Sequence, residues 1–226
     1  MEFIDLEKKI GYKFKNKNHL KEALTHRSYL NENPSWGVPH NERLEFLGDA
    51  VLELAVTEEI FNRYPELPEG QMTGYRSALV NYLMLAVIAK EIELEKFILL
   101  SRGEAKDTGR ARDVILANAI EALIGAIYLD SEYQTIKKIV NTFVMTHLAE
   151  VIKKGLYKDS KSLLQEKAQA ESKVTPVYKV LSETGPDHDK IFEVGVYFSK
   201  KLVGKGTGHS KQEAEAEAAR EALSKL

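Results

Sequence analysis

An all-α domain followed by a small α+β domain, ordered α-β-β-β-α, is the fold class this sequence predicts. Three observations carry it. Apolar residues recur at three- and four-residue spacings through the first 150 positions, a short polar segment follows, and strict period-two alternation sets in only beyond that segment. With 226 residues, 43% hydrophobic and 29% charged, the chain buries a sizeable core without a disulfide or metal staple. That mixture excludes a mostly disordered or collagen-like chain. Cysteine is absent, which removes disulfide scaffolds, cysteine nucleophiles and thiolate metal sites.

The helical pattern is read from Leu20-Ala23-Leu24, Leu44-Leu47-Val51-Leu54, Leu79-Leu83-Ala86-Val87 and Ile120-Leu123-Ile124-Ile127. Breakers separate these runs at 33–39, 65–70 and 101–112. Roughly seven to nine helices are expected over residues 1–152 at ordinary helix and loop lengths. Residues 153–160, KKGLYKDS, are polar and hold a glycine, so the linker is expected there.

The second domain spans residues 161–226, its first helix opening at the linker's edge and running from Ser160 to Glu171 with Leu163, Leu164 and Ala168 on one side. Val177 to Ser182 reads as extended and Thr184 to Asp187 as a turn. Phe192, Val194, Val196 and Phe198 alternate as a half-buried strand does. Leu202 to Gly204 begins a third strand, and Gly206-Thr207-Gly208 is expected to bend into the last helix. Ser210 and Glu213 have the spacing of a capping box at its start.

Charge alone does not name a partner. Up to Tyr157 there are 20 Lys and Arg against 23 Asp and Glu, and beyond it 12 against 11. The opening MEFIDLEKKI is charged and lacks the apolar core of a signal peptide, and no apolar run approaches eighteen residues. A soluble protein with no membrane association is expected, in keeping with a cytoplasmic location.

The sharpest feature is His40-Asn41-Glu42-Arg43-Leu44-Glu45-Phe46-Leu47-Gly48-Asp49. On a helix, Glu42, Glu45 and Asp49 lie within about 60° of one another around the axis. Two carboxylates 4 Å apart repel by about 4 kcal/mol at a surface-like dielectric, so such a stripe calls for a cation or bound protons. A solvated acidic face is the ordinary reading of three acids so spaced. Here LEFLGDAVLELAV is too apolar to be expected at the surface, and Gly48 within it costs about 1 kcal/mol against alanine, which implies a close helix contact. A second apolar helix, ILANAIEALIGAIYLD, carries Asn118 and Glu121 one turn apart together with Gly125. Two such helices facing each other would hold a metal between oxygen ligands, and ligands of this kind suit Mg²⁺ or Mn²⁺. Glu69 is a further candidate acid. The six histidines form no i,i+4 pair, and His26 is read as structural.

NERLEFLGDAVL, preceded by ALTHRSY and followed by LPEGQMTGYRSALV and ILANAIEALIGAIYLD, resembles the motif series of the ribonuclease III family, in the family's order. The remainder, from DSKSLLQEKAQ through GKGTGHSKQEAEAEAA, is similar to a double-stranded RNA-binding domain. The resemblance implies an all-α endonuclease domain and a homodimer that hydrolyses both strands of duplex RNA with Mg²⁺, Mn²⁺ being a substitute. It implies 5′-phosphate and 3′-hydroxyl ends and a part in rRNA and mRNA processing.

Residue by residue, the resemblance implies Glu45, Asp49, Asn118 and Glu121 as metal ligands, with Asp49 and Glu121 catalytic and Glu42 and Glu69 auxiliary. Asn118 departs from the family pattern, which has an aspartate there; an amide keeps an oxygen ligand but removes one charge. Ser162, Gln165, Glu166, Gln169, His188, Ser210 and Lys211 are implied as RNA contacts, and Phe46 as the residue that fills a pocket on the dimer partner. A non-catalytic duplex-RNA-binding relative of the same fold is the alternative, with Asn118 in its favour and Glu45, Asp49 and Glu121 against it.

Overall fold

The computed structural model describes residues 3–157, 159–186 and 190–226 and divides into two compact units, Met1–Tyr157 and Lys158–Leu226. Among the described residues the first unit holds nine α-helices and three short 3-10 turns. The helices are α1 (Ile4–Ile10), α2 (Lys17–Ala23), α3 (Arg27–Glu32), α4 (Glu42–Arg63), α5 (Glu69–Val80), α6 (Tyr82–Glu91), α7 (Arg110–Asp130), α8 (Tyr133–Phe143) and α9 (Leu148–Lys154).

The two longest, α4 and α7, cross at the centre. Leu52, Ala55, Val56 and Ile60 of α4 and Leu116, Ala119, Leu123 and Ile127 of α7 are buried, with Leu85 and Ile88 of α6 and Leu20 of α2 completing the core. Each such Leu or Ile contributes about 1.5–3 kcal/mol on burial. At the crossing the backbones touch. A Cβ added to Gly48 would overlap the Glu121 carbonyl and stand 2.8 Å from the Gly125 amide nitrogen, and one added to Gly125 would overlap the Leu44 carbonyl oxygen.

The start of α4 is fixed by the segment before α3. Asn41 N–H donates to the Thr25 carbonyl at 2.9 Å, His26 N–H to the Leu99 carbonyl at 3.1 Å, and Leu99 N–H to the Leu24 carbonyl at 2.8 Å. The Trp36 indole donates to the Thr25 hydroxyl at 3.0 Å. His26 caps α3 by accepting from Ser28 N–H, and burial holds its imidazole below its ordinary pKa, which agrees with the structural reading.

The second unit has α10 (Ser160–Ser172), then β1 (Val177–Thr184), β2 (Ile191–Phe198) and β3 (Lys201–Gly208) in one antiparallel sheet, then α11 (Lys211–Lys225). Its core is Leu164, Val196, Ala218, Ala219 and Ala222. Gly206-Thr207-Gly208 does not bend away as the sequence suggests but continues β3. A Cβ on Gly204 would stand 2.5 Å from the Ala218 carbonyl oxygen, and one on Gly208 2.8 Å from the Ala214 amide nitrogen. The glycines mark a strand lying against a helix backbone, which turn propensity alone cannot distinguish from a bend. Two further boundaries move. Helix α7 begins at Arg110, inside the expected loop. Lys153 and Lys154 belong to α9, and the Tyr157 ring packs edge-on against Tyr75 at 4.6 Å, so the start of the expected linker is part of the helical unit. Among the described residues no helix is long and apolar enough to cross a membrane.

Candidate active site

Gly48 pressed on the Glu121 carbonyl determines what surrounds it: Glu45 and Asp49 flank the contact on α4, and Asn118 and Glu121 on α7. Glu45, Asn118 and Glu121 are half-buried, while Glu42 and Asp49 are exposed. The expectation that this helix avoids the surface is therefore wrong for part of it. One face of α4 packs on the unit's core, and the other leaves Leu54, Phe61 and Phe46 to solvent, Phe46 at 83% exposure.

The acids sense one another. Burial, then Asp49, Glu45 and Glu53 push Glu121 up to about 7, so near neutral pH it is poised between charged and uncharged forms. Burial followed by Glu42 and Asp49 raises Glu45, and the Asn118 amide acts against them by favouring the ionised carboxylate. Glu53, one turn beyond Asp49, belongs to this electrostatic cluster and was missed in the sequence, although its i+4 spacing from Asp49 was there to read. Glu42 pairs with the Arg27 guanidinium at 3.3 Å and has the His40 imidazole nitrogen at 3.8 Å. Among the described residues no three of His, Asp and Glu stand close enough together to form a metal cage. The donors are all oxygen, three carboxylates and one amide, which fits a hard divalent cation.

Glu69 is elsewhere. It opens α5, accepts from the Thr73 hydroxyl at 3.2 Å, and lines a cavity of about 230 Å³ with Thr57, Phe61 and Arg76. Phe61 lies twelve residues from Asp49, about 18 Å along α4. Within one chain Glu69 does not join the cluster, because a loop acid's position depends on which end of α4 its helix packs against.

In the second unit Ser162, Gln165, Glu166 and Gln169 form one exposed stripe on α10, opposite the buried Leu164 and Ala168. The Ser210 hydroxyl caps α11 by accepting from Glu213 N–H at 3.1 Å, and the Glu213 carboxylate accepts from His209 N–H at 2.9 Å. Lys211 pairs with Glu183 at 3.4 Å and lies over the Phe192 ring. His188 lies outside the described residues.

This crossing of two helices on an acidic cluster, joined to an α-β-β-β-α unit, agrees with comparison to known proteins. Residues 16–148 match the Ribonuclease-III-like family and residues 160–226 the double-stranded RNA binding motif. Ribonuclease 3 of Magnetococcus marinus is 43% identical over 98% of this chain and 92% of its own length. Ribonuclease 3 of Listeria monocytogenes is 43% identical over 98% of this chain and 96% of its own. The crystal structure of the nuclease domain of ribonuclease III from Campylobacter jejuni, at 40% identity, covers 65% of this chain and 95% of that domain with a TM-score of 0.58. The chain belongs to the ribonuclease III family. Its activity is endonucleolytic cleavage of double-stranded RNA, and the family is metal-dependent.

Proposed function

We propose that cleavage takes place at the α4–α7 crossing, where Glu45, Asp49, Asn118 and Glu121 hold Mg²⁺, with Mn²⁺ as a substitute. The backbone contact of Gly48 with Glu121, which sets these four oxygen-bearing side chains around one helix crossing, is the observation that supports this reading. A divalent cation bound there supplies an activated water near neutral pH and relief of charge on the phosphoryl oxygens. Asp49 and Glu121 are the catalytic carboxylates; without a cation, burial and the neighbouring acids push Glu121 up to about 7, and a divalent cation held there would relieve that repulsion. Asn118 favours the ionised state of Glu45, and Arg27 keeps Glu42 at the rim. Hydrolysis in this sense leaves 5′-phosphate and 3′-hydroxyl ends. The exposed stripe of α10, with Lys211 and the start of α11, grips the minor groove and phosphates of the duplex. Glu69 acts as an auxiliary acid only in an assembly that brings it to a cluster. A cytoplasmic role in rRNA and mRNA processing follows from the family.

Two strands need two sites, and the assembly is a homodimer formed by the helical unit. Phe46 is exposed and itself lines a groove of about 740 Å³ with Pro39, Leu44, Leu47 and Leu129 on its apolar side and His19, Glu22 and Arg43 among its polar residues. The ring of one protomer fills that groove on its partner, and burying it contributes about 2 kcal/mol or more per protomer. A Campylobacter jejuni ribonuclease III nuclease domain, matched at 40% identity with a TM-score of 0.59, is itself described as having a region involved in dimer formation.

Glu121→Gln tests the site. The variant is expected to bind duplex RNA as the wild type does while its cleavage rate falls by about a hundredfold or more. Near-normal turnover would remove Glu121 from the site. Phe46→Asp is expected to be monomeric by size-exclusion with light scattering, and a dimeric variant would refute the Phe46 contact.

A further inference from the structure

Between Glu7 and Glu22 the chain has six lysines, Lys8, Lys9, Lys13, Lys15, Lys17 and Lys21, and no acid. This run lies in a unit whose acids outnumber its basic residues. Four of the lysines have local partners: Lys8 pairs with Asp5 at 3.6 Å, Lys9 with Glu93 at 2.6 Å and Lys17 with Glu7, and Lys21 lies over the Trp36 ring at 3.8 Å. Lys13 and Lys15 are exposed, and among the described residues neither ammonium has a hydrogen bond or ion pair.

The backbone that carries them is held unusually firmly for a surface connection. Buried Glu7 accepts from Phe14 N–H at 2.7 Å. Buried Asp130 accepts from Lys15 N–H at 2.7 Å, Asn16 N–H at 2.9 Å and the Tyr12 hydroxyl at 2.7 Å. Burial works to raise the Asp130 pKa, but these donors outweigh it and hold the group below its ordinary value. Phe14 is buried between the two lysines and meets Tyr12 edge-on at 5.0 Å, so Lys13 and Lys15 point outward about 7 Å apart. Beside them a shallow groove of about 560 Å³ is edged by Lys8, Lys13 and Lys17.

We propose that this lysine strip is an additional contact of the helical unit with the phosphate backbone of double-stranded RNA. Two buried acids fix this connecting segment so that little ordering is needed when it meets a polyanion. Lysines in place of arginines supply point charge without base recognition, which suits a contact that must accept any sequence. Asp130 stands nine residues beyond Glu121, about 13 Å along α7, so the strip is outside the acidic cluster and serves grip rather than chemistry. The proposal rests on duplex RNA being the substrate.

The test is duplex-RNA binding by the full chain in buffer free of divalent cations over a series of monovalent salt concentrations. Lys13→Gln combined with Lys15→Gln is expected to lower the magnitude of the log-affinity versus log-salt slope by about two and to weaken binding about tenfold at 0.15 M salt. Lys13→Arg with Lys15→Arg is expected to keep both, and all forms should melt alike because the side chains make no internal bond. An unchanged slope in the glutamine variant overturns the strip, as does a lost affinity for anionic vesicles with RNA binding intact. A wild type that fails to bind duplex RNA would instead refute the underlying substrate reading.

Discussion

At the α4–α7 crossing, Gly48 and Gly125 bring two helices into backbone contact, whereas in the second unit Gly204, Gly206 and Gly208 bring a strand against the alanines of α11. The packing device is similar and the consequences differ. Around the first contact stand Glu45, Asp49, Asn118 and Glu121, so close approach concentrates acids in a half-buried place and holds Glu121 up to about 7. Around the second stand Ala214, Ala218 and Ala222, and close approach merely completes a small core. The described residues implied in RNA contact lie away from that core, on the exposed stripe of α10 and at the start of α11. Chemistry on a phosphate needs charge gathered and partly desolvated, while grip on a phosphate backbone needs charge and polarity displayed.

The largest expected effect tests whether the first contact positions the acids. Gly48→Ala must push α7 away from α4, because the neighbouring atom is backbone and cannot rotate aside. A loss of about 3 kcal/mol in denaturant unfolding is expected, with cleavage lost even where the protein remains folded. Gly206→Ala should instead weaken duplex binding and leave the unfolding of the helical unit unchanged. A Gly48→Ala protein that cleaves normally would break the comparison.

A smaller effect sharpens it. An unfolded glutamate releases its proton near 4.5, whereas folded Glu121 keeps it to about 7, so between those values the folded state binds more protons. Stability without a divalent cation should therefore fall as pH rises through that window. Glu121→Gln is expected to melt about 2–4 °C higher than the wild type at pH 8, with the gap closing near pH 4. Equal melting temperatures at pH 8 would show that the cluster stores no electrostatic strain.

The smallest expected effect concerns Asn118. Asn118→Asp adds a fourth negative charge, which should lower the Mg²⁺ concentration for half-maximal cleavage by about threefold or more and lower the melting temperature of the cation-free protein. A Mg²⁺ titration of both forms on one duplex measures the first and thermal melting the second. Lost activity in Asn118→Asp would mean that the amide's donor role toward Glu45 is the one that matters.

Much of this was legible along the chain. The i, i+3 and i+7 acids, the glycine inside an apolar helix and the second helix with Asn118 and Glu121 are local patterns, and helical period alone relates their positions. The exposed stripe of α10 and the Ser210 cap are local in the same sense. Period could not say that Gly206 and Gly208 belong to a strand, since glycine marks both a bend and a close approach. Nor could it say that Tyr157 folds back on Tyr75, which depends on an aromatic partner 82 positions away.

By itself, then, the sequence determined the helical and alternating elements and which side chains share a face of each, because these follow from backbone geometry over a few residues. Tertiary structure alone decided that Gly48 meets Glu121, that Glu69 does not join the cluster, and that Phe46 and Asp49 stand at the surface. Those facts depend on how helices cross. A crossing is chosen by packing over the whole core, and no local spacing records it.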